Sequence, residues 1–124
     1  MPRLAPEHAL LLELLAVEVG PVGVVALVIG HDGATIDLCI STDDDAVEER
    51  SRLLLDLYAR DARSVLFATV RVGAPVPRYG EAARHRRLHE HGRRVGLPVL
   101  DWFVVGDGGA YQSLSGANVP PDRQ

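Results

Sequence analysis

Apolar residues recur along this chain at two periods, and the switches between the periods mark out its elements. Leu11, Leu12, Leu15 and Val19 form one stripe at helical spacing, widened by Leu10 and Leu14. Pro6 and Glu7 suit the first turn of a helix, so the pattern predicts a helix over 6–19, ended by Gly20-Pro21. Residues 22–29 are an almost unbroken apolar run rich in valine, as expected of a strand covered on both faces. A turn at 30–33 and alternation over 34–40 predict an antiparallel partner for that strand. His31 is then expected at an exposed turn tip. Ser41 or Thr42 is expected to cap a helix whose first turn holds Asp43, Asp44 and Asp45. That helix should run to about Ala62, with Val47, Leu54, Leu55 and Tyr58 toward the core.

Residues 64–70 predict a third, buried strand. The stretch 71–79 contains Gly73, Pro75 and Pro77 and can be neither helix nor central strand. A charged helix over 81–95 follows and stops at Gly96. An apolar strand over 99–105, a Gly-rich turn at 106–109 and a short strand carrying Tyr111 complete the pattern. The turn is not a phosphate loop, because no helix follows it. Beyond Leu114 small, polar and Pro-rich residues predict a disordered tail over 115–124. The expected fold class is α/β: a single domain over 1–114, with a mixed sheet of about five strands flanked by three helices.

Composition narrows this picture without redirecting it. With 124 residues, 47% hydrophobic and 24% charged, the chain can bury one ordinary core. The single Cys39 rules out an internal disulfide and is expected to act as a small buried hydrophobe. No apolar run reaches membrane-spanning length, because Glu13, Glu18, Gly20 and Pro21 interrupt 9–28. No secretory leader pattern precedes them, so a cytoplasmic location without membrane contact is expected. Net charge is −4, and all thirteen basic residues are arginine. Seven of them fall within 71–94, against only Glu81 and Glu90. A basic helix in an otherwise acidic chain favours an anionic partner or self-association, and Asp43–Asp45 make a homodimer the expected form.

The second half of the chain also carries a motif order. It reads Gly96-Leu97-Pro98-Val99-Leu100-Asp101-Trp102-Phe103-Val104-Val105-Gly106 and then Tyr111-Gln112-Ser113. Over 22–114 this resembles RadC-type domains of the JAB/JAMM metalloprotease superfamily, with their cytidine-deaminase-like core. The resemblance aligns the family's His-x-His-Pro-Ser-Gly with Ala68-Thr69-Val70-Arg71-Val72-Gly73. It aligns Ser-x-x-Asp with Arg78-Tyr79-Gly80-Glu81, and puts Trp102 where the family has a histidine. A catalytic zinc needs three protein ligands around an open position, and here only Glu81 retains a metal-binding group. The resemblance therefore implies the fold without the metal or any other cofactor: a catalytically silent binding, scaffold or regulatory module. Arg71, Arg78, Tyr79, Asp101 and Trp102 are the expected binding residues around the former metal pocket, with Asp101 anchoring the 71–78 loop through an arginine.

Two alternatives keep their own residues. Glu81, His85 and His89, four apart, share one helix face and could hold a relocated zinc for a hydrolase. The stretch lacks the glutamate of the zincin motif, however, and Arg78, Arg84 and Arg86 would oppose a dication. Arg84, Arg87, Arg93 and Arg94 could grip phosphates, and the family's link to DNA repair makes DNA association a further reading. An acidic chain with 5% aromatic residues does not favour it. The partner could equally be another protein or a small molecule.

Overall fold

The computed structural model describes residues 23–115. Five strands and two helices follow one another as β1 (Gly23–Gly30), β2 (Thr35–Ser41), α1 (Val47–Tyr58), β3 (Ala62–Val70), α2 (Glu81–Val95), β4 (Val99–Val105) and β5 (Tyr111–Ser113). They form one mixed sheet in the order β2-β1-β3-β4-β5. The pairs β1–β2, β1–β3 and β4–β5 are antiparallel, and β3–β4 is parallel. The five-strand mixed sheet agrees with the sequence pattern. Of the three expected helices two are present, and the helix expected over 6–19 lies outside the described residues, as does the tail from 116 onward.

Chain direction explains why both helices sit together. β2 runs parallel to β3, and β3 to β4, and each pair is joined by a helix while the chain moves the same way across the sheet. Such crossovers are right-handed almost without exception, so both helices fall on one face. Val47 and Leu55 of α1 and Leu88 of α2 accordingly share a core with Val24, Ala26, Val28, Phe67, Trp102 and Val104. The other face carries a separate apolar layer: Val25, Leu27, Ile29, Leu66, Ala68, Val70, Phe103 and Val105. All eight are buried.

α1 differs from the sequence pattern at both ends, and β4 in its register: the helix stops at Tyr58 rather than near Ala62, where β3 already begins. α1 begins at Val47, with no side-chain cap from Ser41 or Thr42. Instead Asp44 Oδ1 accepts from Ala46 N at 2.9 Å, and Val47 N donates to Asp44 O at 3.1 Å. An aspartate that bonds the backbone two residues on forms a turn rather than a helix start, which delays the helix. In β4 the register shifts opposite Val65–Leu66, so Val99 pairs with Val65 but Asp101 with Leu66. The shift turns Trp102 onto the same face as Val99.

α2 ends as its sequence suggests. Gly96 adopts φ 85°, and Leu97 N closes onto Gly92 O at 2.8 Å, the bond expected when a left-handed residue terminates a helix. A close approach also fixes Gly106, where a Cβ would lie 2.3 Å from Gly73 O. That contact ties the turn after β4 to the loop after β3.

Candidate functional site

β3 and β4 end side by side, and the N-terminus of α2 faces their ends. In open α/β sheets ligands bind outside the carboxyl ends of the strands, and β3 and β4 present two such ends together. The loop between Val70 and Glu81 wraps around one buried ion pair, Arg71 with Glu81. Arg71 Nη2 donates to Glu81 Oε2, and Arg71 Nη1 donates to Val76 O at 2.8 Å. Glu81 Oε1 accepts from Arg78 N at 2.6 Å. The Arg71 backbone N–H donates to Val105 O at 2.9 Å, tying the pair to the end of β4. Both side chains are more than nine-tenths buried, so each charge depends on the other for its solvation.

A second arginine sits over this pair. The Arg84 guanidinium lies 4.7 Å from the centre of the Trp102 ring, 3.9 Å from Glu81 Oε2 and 4.0 Å from Asp43 Oδ1. Its Nε and Nη2 are buried and make no hydrogen bond among the described residues. Burial lowers its pKa, and Glu81 and then Asp43 act against that shift. Beneath it the Trp102 ring stacks on Phe67, 4.5 Å apart and 14° from parallel. Trp102 Nε1 donates to Thr69 Oγ1 at 2.7 Å. Trp102, Arg84, Glu81 and Arg71 thus follow one another as ring, cation, anion and cation, with Thr69 holding the ring.

Of the five residues expected to line a pocket, Arg71 and Trp102 place their side chains in this assembly, joined through Glu81 and Arg84. Trp102 is fully buried beneath Arg84, as core rather than pocket rim. Tyr79 is 71% exposed. Arg78 contributes its backbone N–H rather than its guanidinium. Asp101 does not anchor the loop through an arginine. Its carboxylate accepts from Ser113 Oγ at 2.8 Å and Ser115 Oγ at 2.9 Å, which fastens β5 to β4. Thr69 and Phe67 were not singled out by sequence, although a threonine inside the apolar run 65–70 is a usable signal, since a buried hydroxyl needs a partner.

The donor set does not fit a zinc ion. Ala68 and Val70 face the apolar layer behind the sheet and offer no lone pairs, and the Glu81 carboxylate is occupied by Arg71. Among the described residues no three His, Cys, Asp or Glu side chains converge. His85 and His89 share a helix face, with rings 6.3 Å apart, but His89 Nδ1 lies 3.3 Å from Val99 O. His85 is buried, with Nδ1 unbonded among the described residues. The chain matches no family model and no curated protein.

The basic helix meets its acidic complement within the same chain. Arg87 grips Glu48 of α1 through Nε at 2.9 Å and Nη2 at 2.7 Å. His91 contacts Asp56 at 2.8 Å, and Arg93 pairs with Glu90 at 3.1 Å. Arg94 is exposed. Of the four arginines expected to grip phosphate, Arg84, Arg87 and Arg93 thus already lie against carboxylates of the same chain. The acidic triplet is used locally as well: Asp44 pairs with Arg50 at 2.9 Å, and Asp43 approaches Arg84.

A small cavity of about 180 Å³ opens between β2 and α1, floored by Val24, Ala26, Leu54 and Phe67 and rimmed by Ser41, Arg50 and Ser51. Cys39 lines it half-buried rather than fully buried. Burial, then the neighbouring Asp37, pushes its thiol pKa up, which disfavours the nucleophilic thiolate. Asp37 also accepts from Tyr58 Oη. This bond holds the Asp37 carboxyl below its usual range and pushes Tyr58 up to about 12.

Burial lowers the pKa of His85, with Asp101 opposing the shift and His89 and Arg86 adding to it. The unfolded chain therefore binds a proton at this position more readily than the folded one. Stability from neutral His85 is present above its ordinary value near 6.5 and is lost as pH falls through that value toward the depressed one. Urea midpoints are expected to drop as pH falls below about 6.5, and His85→Leu should flatten that slope.

Proposed function

We propose that this chain is a catalytically silent RadC/JAB-like domain that acts by binding, as a scaffold or regulatory module. The observation that carries the reading is the Arg71–Glu81 pair. Within the motif that the resemblance aligns to a metal site, the one remaining carboxylate is closed by an internal cation, and the two imidazole positions are aliphatic. Without imidazole ligands and a free carboxylate, nothing there lowers the pKa of a bound water. The mixed five-strand sheet and the helix joining β3 to β4 are compatible with such a core. The loop around the ion pair, with exposed Tyr79, Val72 and Val76 on its outside, is the surface we assign to the partner.

Metal analysis of protein purified without chelators tests this. Zinc is expected well below one per chain. One zinc per chain, lost in His85→Ala, would establish the relocated site of Glu81, His85 and His89. Salt-dependent DNA binding weakened by Arg87→Ala and Arg94→Ala would favour DNA association instead.

A further inference from the structure

We propose that residues 6–19 form a helix that lies along β1, β3 and β4, on the face of the sheet opposite α1 and α2. The inference is independent of how the Arg71–Glu81 site is read. Both described helices pack on one face, so among the described residues no helix lies over the other. Yet the apolar layer there, from Val25 on β1 to Val105 on β4, has no member more than 9% exposed. Side chains on a bare sheet face stand in water, so further residues of the chain close this one.

The cover has edges. On β2, Ile40 stands opposite Val25 and Leu38 opposite Leu27. Directly opposed residues share a face, yet Ile40 is 70% and Leu38 40% exposed. On the other side Tyr111 of β5 stands opposite Val105 and is also 40% exposed. Burial therefore stops at β1 in one direction and at β4 in the other. These strands and β3 between them span two strand spacings, roughly 10 Å, which is about the diameter of one α-helix. A helix laid across the strands would bury β2 and β5 as well, so the axis of the cover follows the strands.

The segment 6–19 fits this strip in composition, length and position. Outside the described residues the chain offers 1–22 and 116–124. The second stretch has a single large aliphatic side chain, Val119. The first has the helical stripe of Leu11, Leu12, Leu15 and Val19, widened by Leu10 and Leu14. A helix of this length reaches about 21 Å, enough to run past the roughly 13 Å between Val25 and Ile29. Gly20-Pro21 stands immediately before β1, so the helix can turn sharply and pack back over the strand that it leads into. The short connection favours the chain's own helix over one supplied by a second copy.

Methyl cross-relaxation in the isotope-labelled full chain tests the proposal. Cross-peaks are expected from the methyls of Leu11, Leu12 or Leu15 to those of Leu27, Leu66 or Ala68. Leu15→Asp would put a carboxylate against the strip; it should lower the urea midpoint and raise binding of a dye that reports exposed apolar surface. If that variant does not fold, the unaltered chain still decides through its cross-peaks. No cross-peak between the two sets of methyls would overturn the proposal. Cross-peaks that arise only between chains in a mixed-label sample would assign the cover to a second copy and overturn it too. So would a Leu15→Asp chain with unchanged midpoint and dye binding.

Discussion

Arg71→Leu is expected to lower folding stability by about 3–5 kcal/mol, the loss typical when one member of a buried ion pair is removed. The reason lies in what remains. Glu81 would stay buried at the start of α2, holding the Arg78 amide but without its cation. Arg84 could not fully replace it, since its nearest nitrogen is 3.9 Å away and its guanidinium is spread over Trp102. Arg71→Leu with Glu81→Leu should recover much of the loss, because an apolar pair of similar bulk avoids burying any charge. Urea denaturation of both single variants and the double variant gives the coupling between the two sites. Single losses that simply add in the double variant would mean that the two charges do not depend on each other.

Trp102→Ala is expected to cost about 3–5 kcal/mol, as large-to-small changes of buried aromatics do. Three effects combine: the largest fully buried side chain is lost, its stack on Phe67 goes, and Thr69 Oγ1 loses its donor. Arg84 also loses the ring beneath its guanidinium. Trp102→Phe separates these effects. It keeps most of the stacking area and removes the indole N–H, so it should recover more than half of the loss if packing dominates. Since Trp102 is the only tryptophan, the alanine and phenylalanine variants must be followed by circular dichroism rather than tryptophan fluorescence.

The strands were legible because their residues fit only one period. The valine-rich run of β1 and the alternation of β2 admit no helix reading, and 34–40 falls within a residue of the observed strand. The start of α1 departs from its sequence signal for a chemical reason. Ser41, Thr42 and three aspartates form as good a cap as a sequence can show, but Asp44 spends its carboxylate on Ala46, and the helix waits until Val47. The role of Trp102 could not be read from alternation. The irregularity between Val99 and Asp101 reverses the parity of β4, and nothing in Pro98-Val99-Leu100 announces it.

The candidate site was legible in its parts and not in its pairing. Alignment to a metal motif brought Arg71 and Glu81 into view separately, one as a pocket residue and the other as a metal ligand. Their meeting depends on how ten residues of Gly- and Pro-containing loop fold back, which no local propensity determines. The charge asymmetry was real, but its complement lay within the chain. Glu48, Asp56 and Asp43 reach α2 because α1 lies beside it, an adjacency set by sheet order rather than by any local signal.

Arg71 holds the Glu81 carboxylate, and on the proposal above this closes it to a metal ion. Anomalous diffraction at the zinc edge, from crystals grown with excess zinc, tests it most directly. The expected map shows the Arg71 guanidinium on Glu81 and no anomalous peak beside that carboxylate. A zinc ion bound to Glu81, with Arg71 swung out into solvent, would contradict it.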